Sequence, residues 1–289
     1  MISTSTEQGV SHLLQTAGIG VLRPNTVVLA YPSGPYAVKN VGSFVQSIRY
    51  AIELDKAIIL LKGLANFPTN SEKQKGYIDI YWIMHDGGLL ALMAYLMTKH
   101  KVWRKCQLRI FAVAQLHDNS LLLQQSLRQS LKQMRIEAQC EVLEMGDYDI
   151  SEFAYERTIK LEQGSKLLEK VKSVKSLQNN ILVTSSARLS VPDIRISLAK
   201  AKVPGEVDKK VLLMNTSVKL NSLIRLNSRE ETKLVISNLP SPYLQTDDSA
   251  SRTLIAPVDY LAYLDALTEE VPRMLLIKGT GTEVITSCF

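Results

Sequence analysis

Disulfide chemistry has little to work with in this chain. Its 289 residues hold three cysteines, Cys106, Cys140 and Cys288, far apart and odd in number. That excludes a disulfide framework and favours a reducing, intracellular setting. No Cys-x-x-Cys or Cys-x-x-His spacing exists, so no metal site is expected. Long hydrophobic runs are missing as well. The most apolar stretch, residues 87–97, is about half the roughly 20 residues that a bilayer-spanning helix needs. The N-terminus, Met-Ile-Ser-Thr-Ser-Thr-Glu-Gln, lacks the basic start and apolar core of a secretory signal. Charge of one sign is scarce: 34 Lys+Arg against 28 Asp+Glu leave +6. Such a surplus permits contact with an anionic surface, but it falls short of the broad basic face that nucleic acid requires. No internal repeat is present, and neither the GxGxxG nor the P-loop pattern occurs.

What is there belongs to a folded globular chain of one or two domains, with 46% hydrophobic and 21% charged residues. Periods alternate between helix and strand through residues 1–149, the first α/β segment. Residues 10–17 read as a short amphipathic helix closed by Gly18. Residues 26–31 are a β-branched strand ended by Pro32-Ser33-Gly34, and residues 40–54 carry helical spacing. Residues 56–61 form a near-continuous apolar strand, as expected where both faces of a parallel sheet are covered. Strand, helix, strand, helix, strand then follow at 78–84, 89–98, 107–114, 119–134 and 138–145. The alternation predicts an α/β fold with a mostly parallel sheet flanked by helices. Residues 150–182 are Lys/Glu-rich and helical in period, and 183–210 read as a disordered connector. Residues 211–289 resume as a C-terminal α/β segment, with a helix at 216–226, a strand at 233–236, a helix at 259–270 and a strand at 273–278. This unit continues the first α/β layer across the long insertion.

Four stretches are candidates for chemistry. The Gly18-Ile-Gly20 turn and the strand end Tyr31-Pro32-Ser33 are one. Glycines let backbone N–H groups approach phosphates, and Tyr31 offers a stacking face; the plainer reading is a helix cap and a loop. His85-Asp86 follows a strong strand, but no nucleophile motif accompanies it. Asp86 as a helix N-cap explains the pair better, and no enzyme is expected. The basic stretch at residues 100–105 reads either as a phosphate or headgroup contact or as a basic helix end with Trp103 packed inward. Thr216-Ser217, at the expected start of a helix, is either a phosphorylation switch or a Thr N-cap.

Taken together, these segments resemble the C-terminal cytosolic domain of potassium–chloride cotransporters, in the cation–chloride cotransporter family. The series runs Ser11-His-Leu-Leu-Gln15, Asn25-Thr-Val-Val28, Asp79-Ile-Tyr-Trp-Ile83, His85-Asp-Gly-Gly88 and Arg109-Ile-Phe-Ala-Val-Ala-Gln-Leu116. It continues through Tyr155-Glu-Arg-Thr158, Thr216-Ser-Val-Lys-Leu-Asn221 and Glu283-Val-Ile-Thr286, in order along nearly the whole chain. The resemblance implies a universal-stress-protein-like pair of subdomains, a homodimer, and a place on the cytosolic face of the plasma membrane. It implies that the chain starts inside that domain, after its first strand and helix. The transmembrane domain of the same transporter, which carries the ions, would be a partner outside these residues. ATP or ADP would bind at Gly18, Gly20, Tyr31, Pro32 and Ser33, with the rest of that site upstream. Thr216 would be an inhibitory phosphorylation site for Ser/Thr kinases. Departures from the family pattern are Tyr31 for Trp, Asn215 for His, Ser217 for Ala, and Ser287-Cys-Phe289 at the end. The alternative is a stand-alone soluble nucleotide-binding protein of the stress-protein type.

Overall fold

The computed structural model of the chain describes residues 3, 5–33, 37–83, 88–114, 120–145, 206–245 and 252–280. Its elements in chain order begin with α1 (Thr6–Thr16), β1 (Thr26–Ala30), α2 (Ala37–Glu53) and β2 (Ala57–Lys62). Next come β3 (Lys75–Trp82), α3 (Gly88–Lys99), β4 (Lys105–Ala114), α4 (Ser120–Gln133) and β5 (Gln139–Glu144). Beyond the insertion stand α5 (Glu206–Asn227), β6 (Thr232–Asn238), β7 (Tyr243–Gln245), β8 (Arg252–Leu254), α6 (Pro257–Thr268) and β9 (Met274–Lys278).

Seven strands form one sheet in the order β1-β2-β9-β6-β3-β4-β5, and β7 and β8 form a separate antiparallel pair. All neighbours in the large sheet are parallel except β2 and β9, where Ile58 faces Lys278 and Lys62 faces Met274. Five parallel strands, β9-β6-β3-β4-β5, thus make a doubly wound unit. Its strand order reverses between β3 and β6, the topological switch point. The strands β1 and β2 run the other way beside it. The mostly parallel α/β sheet flanked by helices is as the sequence predicts. Its division follows the antiparallel seam between β2 and β9, so the strands of residues 1–149 and 211–289 interleave in one sheet.

The strands alternate sides, and two apolar layers result. On one face Ile58, Leu60, Tyr81, Phe111, Val235 and Leu276 pack with α2, α5 and α6. On the other, Ile78, Ile80, Ile110, Ile236 and Ile277 pack with α3 and α4 through Leu90, Ala94, Leu127 and Leu131. Central strands buried on both faces are why the sequence shows unbroken apolar runs there.

One expectation is corrected, and one pair of strands is added. The helix read at 216–226 begins ten residues earlier, at Glu206, so the last five residues of the expected connector, 206–210, are helical. Its buried stripe is Leu213, Thr216, Ser217, Leu220, Asn221 and Ile224, spaced three and four apart. Three of those six are polar, which hides the helical period from a reading based on apolar residues. The β7–β8 pair, with three residues per strand, is shorter than any periodic signal. The helical reading of 150–182 and the rest of the connector at 183–205 lie outside the described residues.

Candidate functional site

Two helices on one face of the sheet bring the chemistry-bearing residues of the C-terminal segment together. Helix α5 and helix α6 run side by side in the same direction. Lys210 Nζ lies 3.4 Å from Asp259 Oδ2, and Arg225 pairs with Glu270 fifteen residues further on. Between these outer pairs the amide of Asn221 donates to two carbonyls, Leu267 O and Glu269 O, each at 2.9 Å. Those carbonyls belong to the end of α6, where the last turn has no helical donors of its own. Thr216 and Ser217 sit on the same stripe at 0% exposure, and the Ser217 hydroxyl donates to Leu213 O at 2.9 Å. Thr216 therefore lies mid-helix, ten residues from the nearer end of α5 at Glu206, and is no N-cap. The expected position at a helix start is corrected accordingly.

The far end of α5 is fastened to the sheet by a buried carboxylate. Asp79 on β3 has 0% exposure and accepts four hydrogen bonds. Arg109 on β4 supplies two, at 2.8 Å each, one to either oxygen. Ser228, just past α5, and Thr232 on β6 each donate at 2.6 Å. Tyr81 adds a second tie: its hydroxyl donates to Ile224 O at 3.2 Å and lies 2.8 Å from Ser228 Oγ. Burial opposes the guanidinium charge of Arg109, but the bond and charge of Asp79 outweigh it and raise its pKa. Burial pushes the Tyr81 hydroxyl above the usual tyrosine range, against the lowering bond from Ser228.

The residues assigned to a nucleotide are not gathered at one place. Gly18 (φ +92°) and Gly20 (φ +55°) form the turn after α1. A side chain on Gly18 would collide with the backbone at Leu22 and Arg23, so this turn requires glycine. The turn leads through Pro24 into the start of β1, whereas Tyr31, Pro32 and Ser33 follow its other end. One five-residue strand, roughly 17 Å long, separates the two groups. Tyr31 is packed as a core residue. Its hydroxyl donates to Asp265 Oδ1 at 2.5 Å, Phe44 meets its ring edge-on, and Lys62 Nζ stands 4.2 Å from the ring centroid. Burial first, and then the Asp265 bond, hold that hydroxyl well above the usual tyrosine range. Ser33 is exposed and Pro32 half-buried.

Of the remaining candidates, His85 and Asp86 lie outside the described residues. They follow Ile83, whose N–H donates to the Asn238 side chain at 3.1 Å across the switch point between β3 and β6. In the basic stretch, α3 ends at Lys99 and Trp103 is buried at 4% exposure, with the Arg273 guanidinium 6.0 Å from its ring. The inward-packed reading of Trp103 holds. The Asp79 cluster was visible in the sequence only as part of a motif, since Ser228 and Thr232 lie 149 and 153 residues away. No helix among the described residues is long and apolar enough to cross a membrane.

A family model described as Solute carrier family 12 matches residues 60–288. That span contains the whole five-stranded parallel unit, the α5–α6 pair and Asp79. Among solved structures the chain is similar to the crystal structure of the cytoplasmic domain of a prokaryotic cation chloride cotransporter. The identity is 12% and the TM-score 0.46, covering 96% of this chain and 70% of that one. By the family match, which takes in more than half of its residues, the chain belongs to solute carrier family 12.

Proposed function

We propose that the chain is the cytosolic regulatory domain of a potassium–chloride cotransporter. In this reading it dimerises beneath the transmembrane domain of the same transporter and biases that domain's conformations. Electroneutral potassium and chloride transport belongs to the full-length protein; the chain contributes control. Kinases acting at Thr216 lower transport. The observation that carries the reading is the family match over residues 60–288, combined with the Thr216-Ser-Val-Lys-Leu-Asn221 segment inside it. A phosphate shifts such an equilibrium only through contacts that differ between two states. A helix face at 0% exposure supplies that difference, because a dianion is tolerated only when the face is open.

Chloride-dependent rubidium uptake by the full-length transporter tests the proposal. Wild type should fall in activity when the kinases are activated, and Thr216→Ala should not. Equal responses of the two proteins would sink the role of Thr216. Binding of ATP or ADP belongs to the proposal too, with Gly18, Gly20, Tyr31, Pro32 and Ser33 at the two ends of β1 as its residues. Calorimetric titration of the chain with ATP checks it, and a titration without heat at millimolar ATP removes the nucleotide from the account.

A further inference from the structure

A protein kinase must bring the acceptor hydroxyl in line with the transferred phosphoryl group. The Thr216 hydroxyl is in no position to meet one. It lies at 0% exposure on the stripe of α5 that faces the core, between the Lys210–Asp259 pair and the Asn221 bonds to α6. Side chains on either side of it, Leu213 and Leu220, are 3% and 1% exposed. Modification therefore requires α5 to leave α6 over at least the turns around residue 216. Once made, a phosphothreonine adds about −1.5 to −2 charges and three strong acceptor oxygens. Such a group does not return to a buried apolar seam without a partner.

The two halves of α5 are held differently. The C-terminal end is bonded to the sheet through Tyr81, Ser228 and the fully buried Asp79. The part that carries Thr216 meets α6 through apolar side chains, the outer Lys210–Asp259 pair and Asn221, among other contacts. Both groups of that outer pair are partly exposed, at 34% and 42%, so water and salt screen it. Asn221 is different: it is 3% exposed, and its amide reaches two carbonyls of α6.

We propose that α5 is a hinged latch on the sheet. Its N-terminal part, up to Asn221, swings off α6 to present Thr216. Asn221 sets how often this happens, the Asp79–Ser228–Tyr81 cluster is the hinge, and a phosphate on Thr216 holds the latch open. The proposal rests on the reading of Thr216 as a phosphorylation site and deepens it: control acts through the docking of one helix. The serine at position 217, a departure from the family pattern, leaves the latch closed, because the Ser217 hydroxyl is satisfied within the helix by Leu213 O.

Amide hydrogen exchange read by mass spectrometry on the whole chain tests this without a kinase. Asn221→Ala should speed exchange across residues 210–221 and the end of α6 by about tenfold, the effect of losing two buried hydrogen bonds. Strands β3 and β4 should keep their protection. Thr216→Glu should strip protection from the same residues by at least about tenfold, while Thr216→Val, which places an apolar group of the same shape in the seam, should keep it. Unchanged exchange in Asn221→Ala overturns the latch. So does full protection of α5 in Thr216→Glu, and so does loss of β3 and β4 together with α5, which would show that the helix does not open as a separate unit. Because no kinase enters these measurements, their failure is separate from failure of the phosphorylation reading, which the rubidium fluxes test.

Discussion

Asp79 illustrates how much a single buried charge organises here. A carboxylate at 0% exposure is costly unless its lone pairs are filled, and four donors fill them. Its removal leaves the Arg109 guanidinium beside the rings of Tyr77 and Phe111 without its carboxylate and takes from Ser228 one of its two side-chain partners. Asp79→Ala should destabilise the chain by about 3–5 kcal/mol in urea unfolding. The three most strongly shifted of the four buried tyrosines set a second expectation. Burial leads the causes that hold Tyr31, Tyr81 and Tyr260 above the ordinary tyrosine value near 10. A raised folded-state value means that the folded chain keeps protons which the unfolded chain releases above about pH 10. Stability contributed by these hydroxyls is complete below about pH 10 and is lost as pH rises beyond it. Three such groups give a slope of about 4 kcal/mol per pH unit, which unfolding midpoints between pH 9 and pH 11 would reveal. Gly76 is a third case: at φ +142° a side chain there meets the Glu231 carbonyl, where β3 joins β6 with a shifted register. Gly76→Ala should cost about 2 kcal/mol or more by the same urea measurement.

At the scale of elements, α5 decides what the sequence could reveal. Its buried stripe spends half its positions on Thr216, Ser217 and Asn221, so its helical period is weak in apolar residues and its start at Glu206 was read ten residues late. The same polar positions are the ones to which the proposed latch assigns its control. Strands β2, β4 and β9 show the opposite: their unbroken apolar runs mark burial on both faces, and each was read within two residues of its observed ends. The Asp79 cluster was illegible because its donors come from β4, from the turn after α5 and from β6. Only the folded topology brings them to one carboxylate. Tyr31 was legible as a strand end but not as a core residue, because its partners Asp265 and Lys62 lie on α6 and β2. Packing predicts that Leu220→Ala, at 1% exposure in the α5–α6 seam, destabilises the chain by about 2–5 kcal/mol. Val218→Ala, half exposed on the same helix, should change stability by less than about 0.5 kcal/mol, and a paired denaturant series compares them.

For the whole molecule, the antiparallel contact of β2 with β9 joins a two-stranded unit to a five-stranded parallel one. Strands β6 and β9, beyond the long segment between β5 and α5, join the same sheet as β3, β4 and β5, which is why a single α/β layer is legible from the sequence. The interleaving of β6 and β9 between β2 and β3 was not, since strand order depends on contacts between distant segments. The proposed latch would couple this architecture to transport through one helix, with α5 docked on α6 permitting activity and charge at Thr216 undocking it. Chloride-dependent rubidium uptake by the full-length transporter carrying Thr216→Glu, set against Thr216→Val at equal surface expression, tests that claim most directly. With the kinases inactive, the expected result is uptake several-fold lower in the glutamate variant and near wild type in the valine variant. Equal uptake in the two would contradict it.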